Sequence, residues 1–214
     1  MRITNRKSAV FAATLICGWA TFVSALASPA RSQSTAVAAH GAEAQEIVLV
    51  LDPTHCKVQY TVDSSLHTVH GTFNMKSGTV HFDPESGKAG GEIVVYATSG
   101  ESGNNSRDSR MHKEILESPK YPDVVFRPTQ VEGKVTRDGN SDVKLHGVML
   151  LHGKEHELVV PVHAELTAGR WTGTTSFPVP YIDWGLKDPS NWLLKVKPVV
   201  NIELEMTGSA NSQK

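Results

Sequence analysis

Apolar and polar residues alternate through most of the chain from Ile47 onward, and this period of two restricts the fold more than any other feature. It is typical of half-buried β-strands, because successive side chains of a strand point to opposite faces of a sheet. About eight such runs follow one another, separated by turn-forming segments such as Asp83-Pro84-Glu85-Ser86-Gly87. The pattern therefore predicts an all-β domain.

One segment, residues 106–127, interrupts the alternation and predicts a single helix. Met111, Ile115 and Leu116 fall on one helical stripe, and Ser106 is the expected N-cap. We expect this apolar stripe to close one end of the sheet as a lid, although a helix that simply plugs a barrel would carry the same stripe.

Glycines inside the predicted strands favour a closed sheet. Gly71, Gly91, Gly147 and Gly173 lie within alternating runs, where glycine marks bends or bulges that let a sheet curl. The expected fold is a single antiparallel β-barrel of about eight strands with one helical insertion, while a sandwich also fits the strand spacing. A barrel of this size is either filled by side chains or holds one small ligand, and alternation does not separate the two cases.

The first residues are expected to lie outside the fold. Residues 1–27 combine three early cations, a short apolar run and the small-x-small site Ala25-Leu26-Ala27, which together predict a cleaved signal peptide; an uncleaved anchor helix is the alternative. Residues 28–45 are rich in Ala, Ser and Gln and are expected to form a disordered spacer. The folded domain is then predicted at 46–208, with a polar tail at 209–214.

Charge and cysteine content limit the partners and the source of stability. Cleavage after residue 27 removes three of the 21 Lys and Arg residues and leaves 18 against 22 Asp and Glu, a net charge near −4. This balance argues against nucleic acid or an anionic membrane as the main partner. Cys56 would be the remaining cysteine, so no internal disulfide forms and the core must stabilise the fold.

Five segments, in their order and spacing, resemble the YceI-like family of secreted lipocalin-like proteins. They are LDPTHCKVQYTVDSSLHTVHGTF, GTVHFDP, RDSRMHKEILESPKYPDVVF, HGVMLLHGKEHELVVPV and IDWGL. The resemblance implies a lipocalin-like barrel with a long apolar tunnel for a polyisoprenoid, an isoprenoid quinone or another long-tailed amphiphile. It also implies export to the periplasm and no catalytic activity. Pro180-Tyr181-Ile182 stands where the family pattern has an arginine before the Asp-aromatic-Gly turn, so a head-group preference does not transfer.

The tunnel hypothesis names the inward-facing apolar residues as ligand contacts. Burial of a tail is worth about 0.8 kcal/mol per methylene, so about ten carbons contribute roughly 8 kcal/mol before ordering costs. The alternative is that these residues only fill the barrel. Arg107 and Arg110, near the helix start, are candidate head-group contacts, although ion pairs that anchor a helix terminus are the stronger explanation of these residues. The predicted tunnel residues are Val58, Tyr60, Val62, Phe73, Val80, Phe82, Ile93, Val95, Met111, Ile115, Phe126, Met149, Leu151, Trp171 and Phe177.

Histidine supplies the competing hypothesis, a metal-binding or haem-binding protein of the envelope stress response. His67-x-x-His70 and His152-x-x-x-His156 have ligand-like spacing, but the sequence contains no His-Glu-x-x-His signature and no cysteine cluster. A third hypothesis is a filled barrel that acts only as a protein-interaction module.

No Gly-x-Ser-x-Gly elbow is present, and Cys56 is expected to be buried, so we predict no enzyme. The sequence as a whole predicts a periplasmic carrier without a cofactor of its own, not integral to the membrane after cleavage. A homodimer is compatible with the sequence.

Overall fold

The computed structural model describes residues 46–213, so the expected signal peptide at 1–27 and spacer at 28–45 lie outside the described residues. Nine antiparallel strands and one short helical segment make up the described part. The strands are β1 Glu46–Leu51, β2 Lys57–Ser64, β3 Thr68–Phe82, β4 Ala89–Glu101, β5 Asp123–Glu132, β6 Gly139–Leu151, β7 Lys154–Thr167, β8 Arg170–Val179 and β9 Val196–Gln213. The helical segment is α1 Asn105–Arg110 followed by a π-helical turn Met111–Ile115.

The sheet closes on itself, which confirms the predicted antiparallel barrel. Strands β2 to β9 form a continuous ring of eight, because β3 pairs with β4 on one side and with β2 on the other. β1 and β2 share one position in this ring. Both pair with β3 and with β9, β2 over one half of these long strands and β1 over the other half. The position between β3 and β9 is therefore occupied by two strands in succession, β1 and β2, which are separated by residues 52–56.

The last strand is longer than the sequence indicated. We expected a polar tail after residue 208, but β9 continues to Gln213 and pairs with β1 from Leu51↔Gly208 to Glu46↔Gln213. Segment 209–213 has little apolar character, so its alternation gave no signal. Its strand conformation depends instead on backbone hydrogen bonds to β1.

Burial along the strands has the expected period of two. In β8, Trp171, Gly173, Phe177 and Val179 are buried while their neighbours are exposed. The inward side chains at one end of the barrel fill the interior. Ile47, Phe82 and Val131 form one cluster there, and a second cluster lies next to it. That second cluster contains Leu51, Val58, Met75, Trp171 and Met206. We call this the plugged end.

The opposite end, here called the helical end, is covered by the loops that join β2 to β3, β4 to β5, β6 to β7 and β8 to β9. The helical segment belongs to the β4–β5 loop. Its N-cap is Asn104, whose side chain accepts a hydrogen bond from the Arg107 amide, and not Ser106 as predicted. Asn and Ser are comparable N-caps, so composition does not distinguish the two positions.

His112 fastens the helical segment to the barrel wall. Its Nε2 lies 2.8 Å from the Gly100 carbonyl oxygen, and its Nδ1 lies 2.9 Å from Ser118 Oγ. A carbonyl only accepts, so Nε2 donates to Gly100. Ser118 is almost completely buried. The π-helical turn is thus held against β4 by hydrogen bonds at both ring nitrogens of His112.

Candidate functional site

An apolar cavity of about 250 Å³ occupies the barrel interior between the plugged end and the helical end. Its wall is built by inward-facing residues of β2 to β9 and is covered at the helical end by Ile115, Leu116, Leu186 and Pro189. Several wall residues, among them Ile202, are only partly buried although they point inward, because they face this space. The barrel is therefore partly hollow.

The structure places eleven of the fifteen predicted tunnel residues on the cavity wall. This follows from the strand alternation, which assigns every second residue to the interior. That these side chains contact a ligand stays a prediction. The eleven are Val58, Tyr60, Val62, Phe73, Ile93, Val95, Ile115, Phe126, Met149, Leu151 and Phe177.

The other four predicted residues point inward or towards the barrel but do not line the cavity. Phe82 packs with Ile47 and Val131, and Trp171 belongs to the second cluster of the plugged end. Val80 is buried on β3 close to the same end. Met111 lies between the helical segment and the wall, with its sulfur 3.6 Å from the Tyr60 hydroxyl. Alternation predicts the face of a strand but not the depth at which the interior becomes filled.

Sequence reasoning missed several wall residues, and two groups of them show why. Val200, Ile202 and Leu204 alternate on β9 and could have been selected by the same period of two. Tyr181, Leu186 and Pro189 lie in the irregular β8–β9 loop, which carries no periodic signal. The loop covers the barrel because residues 180–186 form a compact turn, in which the Leu186 amide donates to the Tyr181 carbonyl oxygen at 3.0 Å.

Three hydroxyl groups interrupt the otherwise apolar wall, on Tyr60, Thr175 and Tyr181. Within residues 46–213, the buried Thr175 Oγ1 and Tyr181 Oη have no hydrogen-bond partner. Burial, together with the nearby Asp188 carboxylate, raises the pKa of Tyr181 to about 12, so its phenol stays protonated at neutral pH. Burial also raises the pKa of Tyr60. The cavity can thus offer neutral hydrogen-bond donors but no charge.

Both candidate head-group arginines have local partners. Arg107 donates from Nε to Ser102 Oγ at 2.7 Å and from a terminal nitrogen to the Ser102 carbonyl oxygen at 2.9 Å. Asp108 accepts from the Ser102 amide at 3.1 Å, and these contacts hold the start of the helical segment. Arg110 lies 3.6 Å from Glu114. Neither arginine lines the cavity, and their role at a head group stays a prediction.

The histidine pairs do not form a common site. His152 and Gly153 make the two-residue β6–β7 turn with φ of 53° and 74°, and the His152 ring lies 4.6 Å from the Tyr121 ring. The His156 ring instead stacks on Trp184 at 4.2 Å. Over residues 46–213, no three His, Cys, Asp or Glu side chains are grouped so that they could hold a metal ion.

The described barrel contains one cysteine, Cys56. Cys56 is half-buried against the plugged end, and burial raises the pKa of its thiol, which disfavours the reactive thiolate. Among the described residues, no helix has the length and apolar character needed to cross a bilayer.

Comparison with known proteins supports the architecture. A family model described as a YceI-like domain matches residues 49–208. Among solved structures, BcnA of Burkholderia cenocepacia is 15% identical with a TM-score of 0.61, covering 74% of this chain and 99% of its own. A polyisoprenoid binding domain from Saccharophagus degradans, implicated in plant cell wall breakdown, is 14% identical with a TM-score of 0.57, covering 76% and 98%.

The YCEI protein of Campylobacter jejuni is 17% identical with a TM-score of 0.53, covering 68% of this chain and 85% of its own. At these identities the likeness concerns the fold. Among curated proteins, none matches the chain.

Proposed function

Since the chain belongs to the YceI-like family, we propose that its barrel binds the hydrocarbon tail of a long-chain amphiphile, such as a polyisoprenoid or an isoprenoid quinone, and carries it without chemical change. The observation that supports this most directly is the hollow, almost entirely apolar interior between two covered ends. A solved structure with the same fold is described as a polyisoprenoid binding domain.

The chemistry of the wall favours a tail over a polar ligand. A small polar molecule would have to leave water for a wall whose polar groups are three hydroxyls, whereas each methylene of a tail gains about 0.8 kcal/mol on burial. The cavity of about 250 Å³ is slightly smaller than the roughly 300–1,000 Å³ of typical ligand pockets, so it would enclose part of a long tail.

The proposed place of action is the periplasm, on the basis of the signal-peptide pattern in residues 1–27. Export would bring the carrier into the compartment between the two membranes of a Gram-negative cell. Cell fractionation with sequencing of the mature N-terminus tests this; a start at Ser28 is expected, and retention of the full chain in the cytoplasm would contradict it.

Native mass spectrometry of the protein purified from a bacterial periplasm tests the binding function. Ile202→Trp places a large ring into the cavity from β9, whereas Asn201→Trp adds the same ring to the outer face of the same strand. We expect the parent and N201W to carry a lipid mass that organic extraction releases, and I202W to lose it, because the tail and the new ring compete for one space.

The controls separate this function from its competitors. Circular dichroism and thermal unfolding would first establish that I202W keeps the fold. An apoprotein mass for the parent, or equal lipid occupancy in I202W and N201W, would speak against binding inside the barrel. A stoichiometric metal or haem mass would support the histidine hypothesis instead.

A further inference from the structure

Three strongly exposed apolar side chains gather at the helical end of the barrel. Trp192 is 89% exposed, Leu66 is 64% exposed and Leu193 is 61% exposed. Single exposed apolar residues are normal on soluble proteins, as Tyr96 and Val159 show here. These three differ because they are the most exposed large apolar residues of the described chain and they project from two loops that touch each other.

Hydrogen bonds hold the two loops side by side. The Ser65 amide donates to the Lys195 carbonyl oxygen at 2.7 Å, and the Lys195 amide donates to Ser65 Oγ at 3.1 Å. Leu66 follows Ser65 directly, so it is carried next to the β8–β9 loop. The two leucines and the tryptophan therefore belong to one surface, which we call the apolar tip: residues 64–67 and 189–194.

The exposure of Trp192 and Leu193 is built into the loop and is not the result of a loose chain. Asn191 Oδ1 accepts from the amides of Leu193 at 2.9 Å and Leu194 at 2.8 Å. Ser190 Oγ accepts from the Val196 amide at 2.9 Å. These bonds fix a tight bend that directs both side chains into solvent. Exposure of apolar side chains to water is unfavourable, and it does not contribute to the stability of the fold.

The apolar tip is continuous with the cavity. Pro189 in the same loop and Val196 at the start of β9 flank the exposed pair, and both line the cavity. Residues 64–67 and 189–194 contain no Asp, Glu, Lys or Arg. An uncharged, apolar protrusion thus stands at the end of the barrel where the cavity is covered only by loops and the helical segment.

We propose that the apolar tip inserts into the interface of a lipid bilayer, so that a tail passes between bilayer and cavity without crossing water. This inference rests on the proposed carrier function. Trp has an apolar body and a polar N–H, and it is enriched at the level of lipid head groups for this reason. The chain's excess of acidic residues means that apolar contact, and not attraction to anionic lipid, drives the insertion.

A second copy of the chain fits the apolar tip less well. A stable protein interface buries about 1,200–2,000 Å² in total, and one Trp contributes only about 150–250 Å². A tip of three side chains on two loops therefore falls well short of the area that a dimer needs, whereas an interfacial anchor requires only a few apolar side chains.

Vesicle cosedimentation tests the proposal, using the exported protein and vesicles of phosphatidylcholine and phosphatidylethanolamine. We expect the double variant W192S/L193S to bind vesicles about tenfold or more weakly than the parent, and parent binding to persist at high salt. V159S is the matched control, because it removes an exposed apolar side chain from the outer face of β7, away from the apolar tip.

Calorimetric binding of farnesol in solution distinguishes this inference from the carrier function. Normal farnesol binding by W192S/L193S with loss of vesicle binding supports both. Farnesol binding with equal vesicle binding by W192S/L193S and the parent, or with no vesicle binding by the parent, overturns the membrane inference alone. Absence of farnesol binding by the parent overturns the carrier function. A dimer that W192S/L193S converts to monomer would identify the tip as a contact between copies and also overturn the inference.

Discussion

Tyr181 keeps a buried hydroxyl for which no described residue supplies a partner. An unpaired buried hydroxyl costs about 1–3 kcal/mol, so removal of the oxygen should relieve that cost in the ligand-free protein. We expect Tyr181→Phe to raise the free energy of unfolding by about 1 kcal/mol and the melting temperature by about 2–4 °C. Thermal unfolding of delipidated protein measures this.

Tyr60→Phe is the matched control for Tyr181→Phe. The Tyr60 hydroxyl has a sulfur partner in Met111 at 3.6 Å, so its removal should not stabilise the barrel. Equal or greater stabilisation by the Tyr60 substitution would mean that the missing hydrogen-bond partner of Tyr181 does not lower the stability of the barrel.

His156 should make the barrel sensitive to acid. Burial lowers the pKa of His156 below the ordinary value of about 6.5, and the Lys154 ammonium makes a smaller contribution in the same direction. As pH falls through that value, the unfolded chain takes up a proton that the folded chain refuses, so stability is lost towards lower pH. His156→Phe keeps a ring over Trp184 without the proton. We expect its melting temperature to fall less than that of the parent between about pH 7.5 and pH 5.5.

The same pH series measured on the parent protein provides the comparison for this titration. The interpretation fails if the parent and H156F lose stability in parallel over the whole pH range.

At the residue scale, prediction from sequence worked where the strand period applied. Val58, Tyr60 and Val62 alternate in sequence and line the cavity together. Tyr181 lies outside any strand and reaches the cavity only because a turn folds it back over the barrel. No local pattern encodes that return, because it depends on contacts with distant strands.

At the scale of elements, Gly147 on β6 makes room for the Phe126 ring on β5. A Cβ at Gly147 would lie 2.5 Å from the Arg127 carbonyl oxygen and 2.6 Å from Phe126 Cζ. Gly147→Ala therefore forces the ring, the β5 backbone or both to shift, because a Cβ does not approach either atom this closely. We expect a loss of about 1–3 kcal/mol in the free energy of unfolding, measured by denaturant titration, and weaker farnesol binding.

A second substitution separates the steric cause from a backbone effect. In G147A/F126L the smaller side chain leaves space for the new methyl group, so part of the stability should return. If F126L restores no stability and only adds its own loss in the free energy of unfolding, the contact of the new methyl group with the Arg127 carbonyl oxygen is the main cause of the destabilisation.

The helical insertion was predicted from its break in the alternation, but its exact geometry was not. Ile115 and Leu116 cover the cavity as expected, while Met111 sits against the wall. The π-helical turn over Met111–Ile115 rotates the later residues relative to a regular α-helix. A stripe drawn with regular helical spacing therefore could not place all three residues on one surface.

At the scale of the whole molecule, the enclosed space limits how much of a tail is buried. The cavity is about 250 Å³ and one end is filled by side chains. At a fixed ligand concentration, ligand binding stabilises the folded protein by an amount that grows with the logarithm of the affinity, and the melting temperature rises accordingly. Along the series geraniol, farnesol and geranylgeraniol, we expect the rise per added isoprene unit to diminish once the cavity is full. Differential scanning fluorimetry measures this, and a shift independent of tail length would contradict burial of the tail.

Closure of the barrel was predictable from alternation and from glycine placement, whereas its partial hollowness was not. Phe82 and Phe73 both point inward from β3, on either side of the register shift near Met75, yet the interior is filled at Phe82 and forms a cavity wall at Phe73. The difference comes from what the opposite strands place at the same depth. That arrangement is a property of the closed ring and of no single strand.

The position shared by β1 and β2 closes the ring against β9, and this restricts the order in which the barrel can form. Both strands pair with β9, the last strand of the described barrel, and every contact of this seam joins residues far apart in sequence. The ring therefore stays open until β9 has been made and released. With the export proposed above, this late closure would keep the barrel from forming before β9 has crossed the membrane, because the last strand pairs need both partners on the same side.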